Sequence, residues 1–411
     1  MTRPRVMLVQ PTLAPYGGGE GVCVWMLEAL RADHDLCLLT WERPDFAALD
    51  AFFGTSLAAA GIEVRLAHPR LPERLRRSRF ARQLKHWALL AEARRQGDVD
   101  LLIAADEESD LGGAGIQYLH FPRLQYLAAG GGAPSTVAGR ARELAFALYR
   151  RAGARATGFS LARMRRNTTV VNSDWTGAEV RRLHGIDTIT VHPPAVGPFP
   201  AVPWSDRTDG FVAVGRIVPE KRLEVIIDIV QRVRVAAGVQ GGSRGGSDQG
   251  APDLSPPWPL HIVASAGDPV CEARVLARAR EAGPWVRVHR QLSRLELVRL
   301  LTRHRYGIHA MAEEHFGMAV AEMVAAGMIP FVPRGGGQVE IVRDERLLWT
   351  SIEDAVAKIG ALRSSPAAQE SVRTSLAARA PELGPERFMR EIRTVVQGAI
   401  ARDVRPRGHE T

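Results

Sequence analysis

The run Glu313-Glu-His-Phe-Gly-Met-Ala-Val-Ala-Glu-Met-Val-Ala-Ala-Gly-Met-Ile-Pro-Phe-Val-Pro-Arg-Gly-Gly-Gly337 reads as loop, helix, strand and glycine-rich loop in succession. Met318 to Ala326 is small and apolar throughout, with Glu322 as its one exception, and Gly327 supplies a helix stop. Met328 to Val332 has the composition of a buried strand, and Arg334-Gly-Gly-Gly337 that of a loop at its carboxyl end. A helix apolar all round is buried, so the carboxylate on it requires a partner. The helix begins near Gly317, where free backbone N–H groups and the helix dipole favour an anion. Glu322 lies about 7 Å further along the axis at the standard rise, which is the offset between a diphosphate and the ribose of one nucleotide. Glu314 sits in the loop before the helix, facing whatever the phosphate carries. Phosphate at the helix start, ribose on Glu322 and sugar near Glu314 make a coherent nucleotide-sugar site. The alternative is that Glu322 pairs with a buried arginine and Glu314 only favours the helix start.

The chain has 411 residues, which predicts two domains, and its 45% hydrophobic content is that of a soluble globular protein. The longest apolar runs, such as Leu36 to Trp41, are too short to cross a bilayer, and the apolar run after Met1-Thr-Arg-Pro-Arg stops too early, at Gln10-Pro11, for a signal peptide. Cys23, Cys37 and Cys271 are widely spaced and odd in number, suggesting neither a disulfide framework nor a metal site, which fits a reducing cytoplasm. The net charge of +9 alone does not argue for nucleic acid. The excess is almost all arginine, lysine occurring only at Lys85, Lys221 and Lys358, and no aromatic-interleaved basic module is present.

Strand and helix patterns alternate in both halves, the mark of doubly wound parallel sheets. In the first half the strands are Arg5–Gln10, Leu36–Thr40, Ile62–Leu66, Leu101–Ala104, Ile116–Leu119 and Thr168–Asn172. The proline-rich His192–Pro200 is the expected linker, and the pattern restarts at Gly210–Val214. Gly238 to Pro257 reads as a flexible surface insertion. The expected domains are 1–195 and 196–384, with a last helical segment over 385–411.

Four further motifs bear on chemistry. Tyr16-Gly-Gly-Gly-Glu-Gly21 lies between a strand and a helix expected from Val22. As a dinucleotide fingerprint it fails, because Val22 stands where the third glycine belongs. A loop closing over a phosphate, or an ordinary tight turn, are the two readings. Gly215-Arg-Ile-Val-Pro-Glu-Lys221 follows a strand and precedes a helix, which leaves two readings: Arg216 and Lys221 reach a diphosphate, with Glu220 orienting Lys221, or they are two surface cations near a helix start. His120 follows the strand Ile116–Leu119; a lone histidine there is otherwise a packed residue. Asp98-Val-Asp100 has the D-x-D pattern of a metal site, but it directly precedes a buried strand and reads as a turn or cap. Arg70 to Lys85 holds seven basic residues among Leu, Phe and Trp87, suited either to an anionic lipid surface or to a solvated helix face.

Glu314 and Glu322, seven residues between them and a glycine-rich turn after, resemble the E-x7-E motif of the retaining glycosyltransferases of family 4. Glu-Glu-His-Phe-Gly317 and Gln117-Tyr-Leu-His-Phe-Pro122 are similar to the alpha-1,2-mannosyltransferase branch that extends lipid-linked oligosaccharides. The resemblance implies an α/β GT-B fold, with two Rossmann-like doubly wound parallel-sheet domains facing a cleft and a last helix returning to the first domain. It implies a retaining transfer from a nucleoside-diphosphate sugar (GDP-mannose or a UDP-sugar) to a glycan, lipid-linked or small-molecule acceptor. His120, Glu314, Arg216 and Lys221 then carry catalysis. Gly18, Gly19, Arg216, Lys221, Glu314, Gly317, Met318, Ala319 and Glu322 bind the donor. No metal or other cofactor is expected, since Arg216, Lys221 and the helix start supply the positive charge. The expected location is cytoplasmic, with a peripheral membrane contact if Arg70 to Lys85 faces lipid, and with no nucleic-acid partner. An epimerase of similar fold and a non-catalytic nucleotide-sugar-binding protein are the alternatives.

Overall fold

A computed structural model describes residues 3–67, 82–124, 137–239, 258–265 and 267–403. The insertion expected at Gly238 to Pro257 and the basic stretch from Arg70 therefore fall largely outside the described residues, at 240–257 and 68–81. The chain divides into one unit of Met1–Pro194 with Pro385–Thr411 and another of Ala195–Gly384.

In the first unit, strands β1 (Arg5–Val9), β2 (Asp35–Thr40), β3 (Glu63–Leu66), β4 (Leu101–Ala104), β5 (Ile116–Leu119), β6 (Thr168–Val171) and β7 (Ile189–Thr190) form one sheet in the order β3-β2-β1-β4-β5-β6-β7. Its pairs are parallel, for instance Met7 opposite Cys37 and Leu102. Val6 to Val9 and Cys37 to Leu39 are almost wholly buried, as a strand covered on both faces must be. Helix Gly18–Leu30 is apolar around most of its circumference and buried. The carboxyl-terminal helix Pro385–Asp403 belongs to this unit: Arg393 Nε donates to the Ala29 carbonyl at 2.7 Å, and Phe388 meets the Tyr118 ring edge-on with centroids 6.5 Å apart. Tyr118 Oη in turn donates to the Val191 carbonyl at 2.7 Å.

The second unit repeats the plan. Strands β8 (Thr208–Arg216), β9 (Leu260–Ser265), β10 (Val286–Arg290), β11 (His304–Ile308), β12 (Ile329–Pro333) and β13 (Leu348–Trp349) are ordered β10-β9-β8-β11-β12-β13, again parallel. In both sheets strand order reverses beside the first strand, between β1 and β4 and between β8 and β11. The loops at the carboxyl ends of such strands diverge and leave a crevice, the place where open α/β sheets bind ligands. The fold is thus the pair of Rossmann-like parallel-sheet domains that the sequence pattern predicts.

The glycine run corrects one expectation. Gly18 and Gly19 lie in the first turn of the helix, which starts at Gly18 with Gly17 as its cap; they are not a loop before Val22. The small size is required elsewhere: a Cβ on Gly21 would stand 2.8 Å from the Phe53 ring.

Three histidines pack together in the second unit. His261 Nδ1 and His289 Nε2 are 2.8 Å apart in stacked rings, and the His304 ring lies 4.7 Å from that of His261. Burial first, then the neighbouring His304 and His289, push the His261 ring from 6.5 down to about 3. Between those values the unfolded chain binds a proton that the folded chain refuses, so stability is complete above pH 6.5 and falls as pH drops toward 3. The urea midpoint of this unit is therefore expected to fall between pH 7.5 and pH 4.5, and to fall less in His261→Phe, which keeps a ring but loses the titrating nitrogen. Identical pH slopes for both proteins would contradict the assignment.

Candidate functional site

The turn after β8, Gly215 to Lys221, carries Arg216 exposed at the strand's end and Lys221 in a single 3-10 turn, Pro219–Lys221. A backbone contact braces the turn. Asp268 N–H donates to the Ile217 carbonyl at 2.8 Å, and a Cβ on Gly267 would stand 1.9 Å from that same oxygen, so only glycine fits. Arg216 engages no acidic side chain among the described residues. Glu220 does not orient Lys221: it is exposed, and the lysine turns instead to Glu314.

Glu314 arrives from the loop after β11. Lys221 Nζ and His309 Nε2 both meet its Oε2, the histidine at 2.9 Å. Oε1 has no hydrogen-bond partner among the described residues, and the side chain is 13% exposed. His309, Lys221 and hydrogen bonding hold the carboxyl well below the usual carboxylate range against the opposing effect of burial, which is the largest single influence. The same burial pushes the His309 ring down, while Glu314 pulls it back up.

The glycine-rich loop explains how Glu314 is held. Gly337 N–H donates to the Glu314 carbonyl at 2.7 Å. Gly336 adopts φ +68°, and a Cβ there would lie 2.3 Å from the Glu314 carbonyl oxygen; one on Gly335 would lie 2.8 Å from the Ala312 oxygen. The buried Gln338 then ties the two segments, its Nε2 donating to the Met311 carbonyl at 2.9 Å and the Gly335 carbonyl at 3.1 Å. The loop is thus a backbone clasp on the segment that presents Glu314.

Gly317, at φ +104°, caps helix Met318–Ala325, whose first residues are Met318 and Ala319. No side chain caps this helix start, so its first N–H groups are open to an anion. Glu322, one turn further, is buried and meets Arg294 Nη1 at 2.8 Å; burial raises its carboxyl while the arginine lowers it. The pairing with a buried arginine weighed from the sequence is therefore present in this structure. Arg294 also donates to the Val196 carbonyl and lies over the Phe199 ring.

In the first unit, Gly19 and His120 come together at that sheet's own switch point: the Gly19 Cβ direction ends 3.5 Å from His120 Nε2, which also lies 3.3 Å from the Ala105 carbonyl. Burial lowers the His120 pKa, opposed by the charge of Asp106. Gly18 begins the same helix. Asp98 is taken up by Arg65, at 2.6 Å, and Asp100 accepts the Arg5 N–H at 2.7 Å, so both serve the strand ends. Among the described residues no group of three or more His, Cys, Asp or Glu side chains is arranged to hold a metal ion. Likewise, no helix among them is long and apolar enough to cross a membrane.

Sequence reasoning missed His309 and Arg294. The signal for Arg294 was the buried Glu322 itself, which demanded a cation. His309 carried no signal, because the strand before it was not read.

Residues 198–374 match the family model described as glycosyl transferases group 1, which falls within the second unit. A GDP-Man:Man(3)GlcNAc(2)-PP-Dol alpha-1,2-mannosyltransferase of Dictyostelium discoideum is 26% identical over 204 residues, 43% of this chain. That match spans 36% of the relative, so the chain matches about a third of its length. Among solved structures, sucrose-phosphate synthase of Thermosynechococcus elongatus superposes with a TM-score of 0.68 at 14% identity, covering 97% of this chain and 100% of that one. The Anabaena HepE protein in complex with UDP superposes with a TM-score of 0.65 at 12% identity, covering 96% and 100%. At such identities these likenesses establish the GT-B fold.

The clasp is testable by size alone. Gly336→Ala is expected to destabilise the second unit by roughly 1–3 kcal/mol, from the strained φ and the clash with the Glu314 carbonyl. Gly360→Ala, in a helix with open space around it, is expected to be neutral or to stabilise by about 0.5–1 kcal/mol. Equal urea midpoints for the two variants would contradict the clasp.

Proposed function

We propose that this chain, with its glycosyl transferases group 1 module on a GT-B fold, is a retaining glycosyltransferase. It takes a nucleoside-diphosphate sugar, GDP-mannose or a UDP-sugar, and transfers the glycosyl group to a hydroxyl of a glycan, lipid-linked or small-molecule acceptor. One observation carries the reading: Arg216, Lys221, Glu314 and the open start of helix Met318–Ala325 are presented by the loops that flank the switch point between β8 and β11.

The chemistry follows from charge. As the bond between the anomeric carbon and the phosphate oxygen breaks, its electron pair stays on the departing diphosphate. Arg216, Lys221 and the N–H groups of Met318 and Ala319 neutralise that charge, doing so without a metal ion or other cofactor. The acceptor hydroxyl oxygen bonds to the same face of the anomeric carbon, and its proton passes to the leaving phosphate oxygen; this front-face course accounts for retention. The open Oε1 of Glu314 accepts from a sugar hydroxyl. Glu322 accepts from the ribose diol by exchanging part of its contact with Arg294. His120, Gly18 and Gly19 are assigned donor contacts in the first unit on the strength of the resemblance alone. The likeness to a mannosyltransferase favours GDP-mannose among the donors.

A thermal-shift series with nucleotide sugars identifies the donor, since a ligand bound only by the folded state raises the melting temperature by mass action. Arg216→Ala is expected to lower transfer by roughly 10²–10³, the size of losing one preorganised donor. Glu322→Gln is expected to weaken both the free nucleoside diphosphate and the sugar donor, whereas Glu314→Gln binds the diphosphate almost normally and transfers poorly. If Glu314→Gln loses the diphosphate and Glu322→Gln keeps it, the helix is oriented the other way relative to the ligand and the assignment is wrong. Consumption of the nucleotide sugar with no acceptor present, giving a changed sugar, would make the protein an epimerase instead.

A further inference from the structure

His309 begins the loop that follows β11, and its backbone is fixed from two sides. Its N–H donates to the Phe331 carbonyl of β12 at 2.9 Å, and β11 itself is hydrogen-bonded between β8 and β12. The residue is 3% exposed. Its Nε2 lies 2.9 Å from Glu314 Oε2, and a carboxylate accepts but does not donate, so the proton of the ring is on Nε2. Lys221 Nζ donates to that same oxygen. Two donors therefore converge on one oxygen, while the other faces the site.

These two donors have different futures when a ligand arrives. Lys221 sits on the turn after β8 beside the exposed Arg216, and a diphosphate with its larger charge competes for the ammonium. His309 is buried and anchored through its own backbone, and a diphosphate gives it no reason to move. We infer that His309 is the positioning residue that keeps Glu314 ionised and aimed once the donor diphosphate draws Lys221 away. The inference rests on the nucleotide-sugar reading of the site and assigns a residue that reading does not require.

Other groups bear on the ring in a limited way. Glu314 from its own loop and Lys221 from the turn after β8 are the charged neighbours acting on it. β12, packed alongside, contributes Ile329-Pro-Phe-Val-Pro333 and no titratable side chain. Burial disfavours the charged imidazolium, and so maintains a neutral ring with one N–H to give. A buried carboxylate that loses its donors is protonated more readily. Without His309, the diphosphate's capture of Lys221 would leave Glu314 in that condition at the moment it is needed.

Two measurements test this. The first needs no turnover: nitrogen-15 histidine spectra of the full chain, with His309 assigned from its disappearance in His309→Gln. A neutral ring protonated on Nε2 is expected, unchanged in Lys221→Met, where the lysine has been removed from Glu314. A ring protonated on Nδ1, or an imidazolium, in Lys221→Met overturns the inference whatever the ligand is. The second compares kcat and KM for release of nucleoside diphosphate from UDP-glucose and GDP-mannose, with calorimetric binding of UDP and GDP. His309→Phe is expected to bind the nucleoside diphosphate within about twofold of wild type, while kcat falls roughly 10- to 100-fold, the cost of leaving a buried charged acceptor short of a donor. The acid limb of its kcat profile is expected at higher pH than in wild type. His309→Gln, which retains an N–H, is expected to recover most of the rate and to return the limb. Equal losses in both variants with an unmoved limb would reduce His309 to a packing residue. Failure of the wild-type protein to bind either diphosphate would count against the nucleotide-sugar reading, and the spectra would still decide the role of His309.

Discussion

The Glu314 carboxylate is the point on which the second unit's candidate site depends. It is nearly buried, and an ionised carboxylate is tolerated there because Lys221 and His309 both donate to it. The three residues come from two loops of the sheet, and neither loop holds its shape by side-chain packing alone. Gly267 lets the chain pass within contact of the Ile217 carbonyl, and Gly336 does the same at the Glu314 carbonyl. The glycines act at one remove: they allow backbone to lie on backbone, and so fix where the charged side chains start.

The same topological solution occurs twice. In each sheet the order reverses beside its first strand, and in each the polar residues singled out gather at that reversal. In the second unit the result is a cationic turn facing an open helix start. In the first it is a glycine-lined helix start, with His120 beside Gly19. The two crevices differ in chemistry because the loops differ; the sheets beneath them are alike.

Much of this was legible in the sequence, for identifiable reasons. Alternating apolar runs such as Val6–Val9 and Leu36–Leu39 announce buried parallel strands, and the punctuation by Gly327 and Gly317 marks the ends of the helix bearing Glu322. The strand β11 was not legible. His304-Arg-Tyr-Gly-Ile308 opens with two polar residues and follows the helix Arg294–Arg303 with no turn between them. Its place in the sheet comes from partners far along the chain, β8 and β12, and from Arg305 donating to the Trp204 carbonyl at 3.2 Å. Nothing in the sequence therefore places His309 at a strand end, and the sequence offers Lys221 its neighbour Glu220, when its partner is 93 residues away. Arg294 was out of reach for the same reason: the sequence states that Glu322 needs a cation without saying which one. The glycines of Gly335 to Gly337 were recognised as a loop, but the carbonyl they wrap belongs to Glu314 and is visible only in three dimensions.

In the proposed site Lys221 is shared between Glu314 and a diphosphate. A crystal structure of the protein with the nucleoside diphosphate selected by the thermal-shift series decides this. Phosphate oxygens are expected at the N–H groups of Met318 and Ala319, with Lys221 Nζ on those oxygens and His309 still on Glu314. A nucleotide bound elsewhere, with Lys221 still on Glu314, would contradict it.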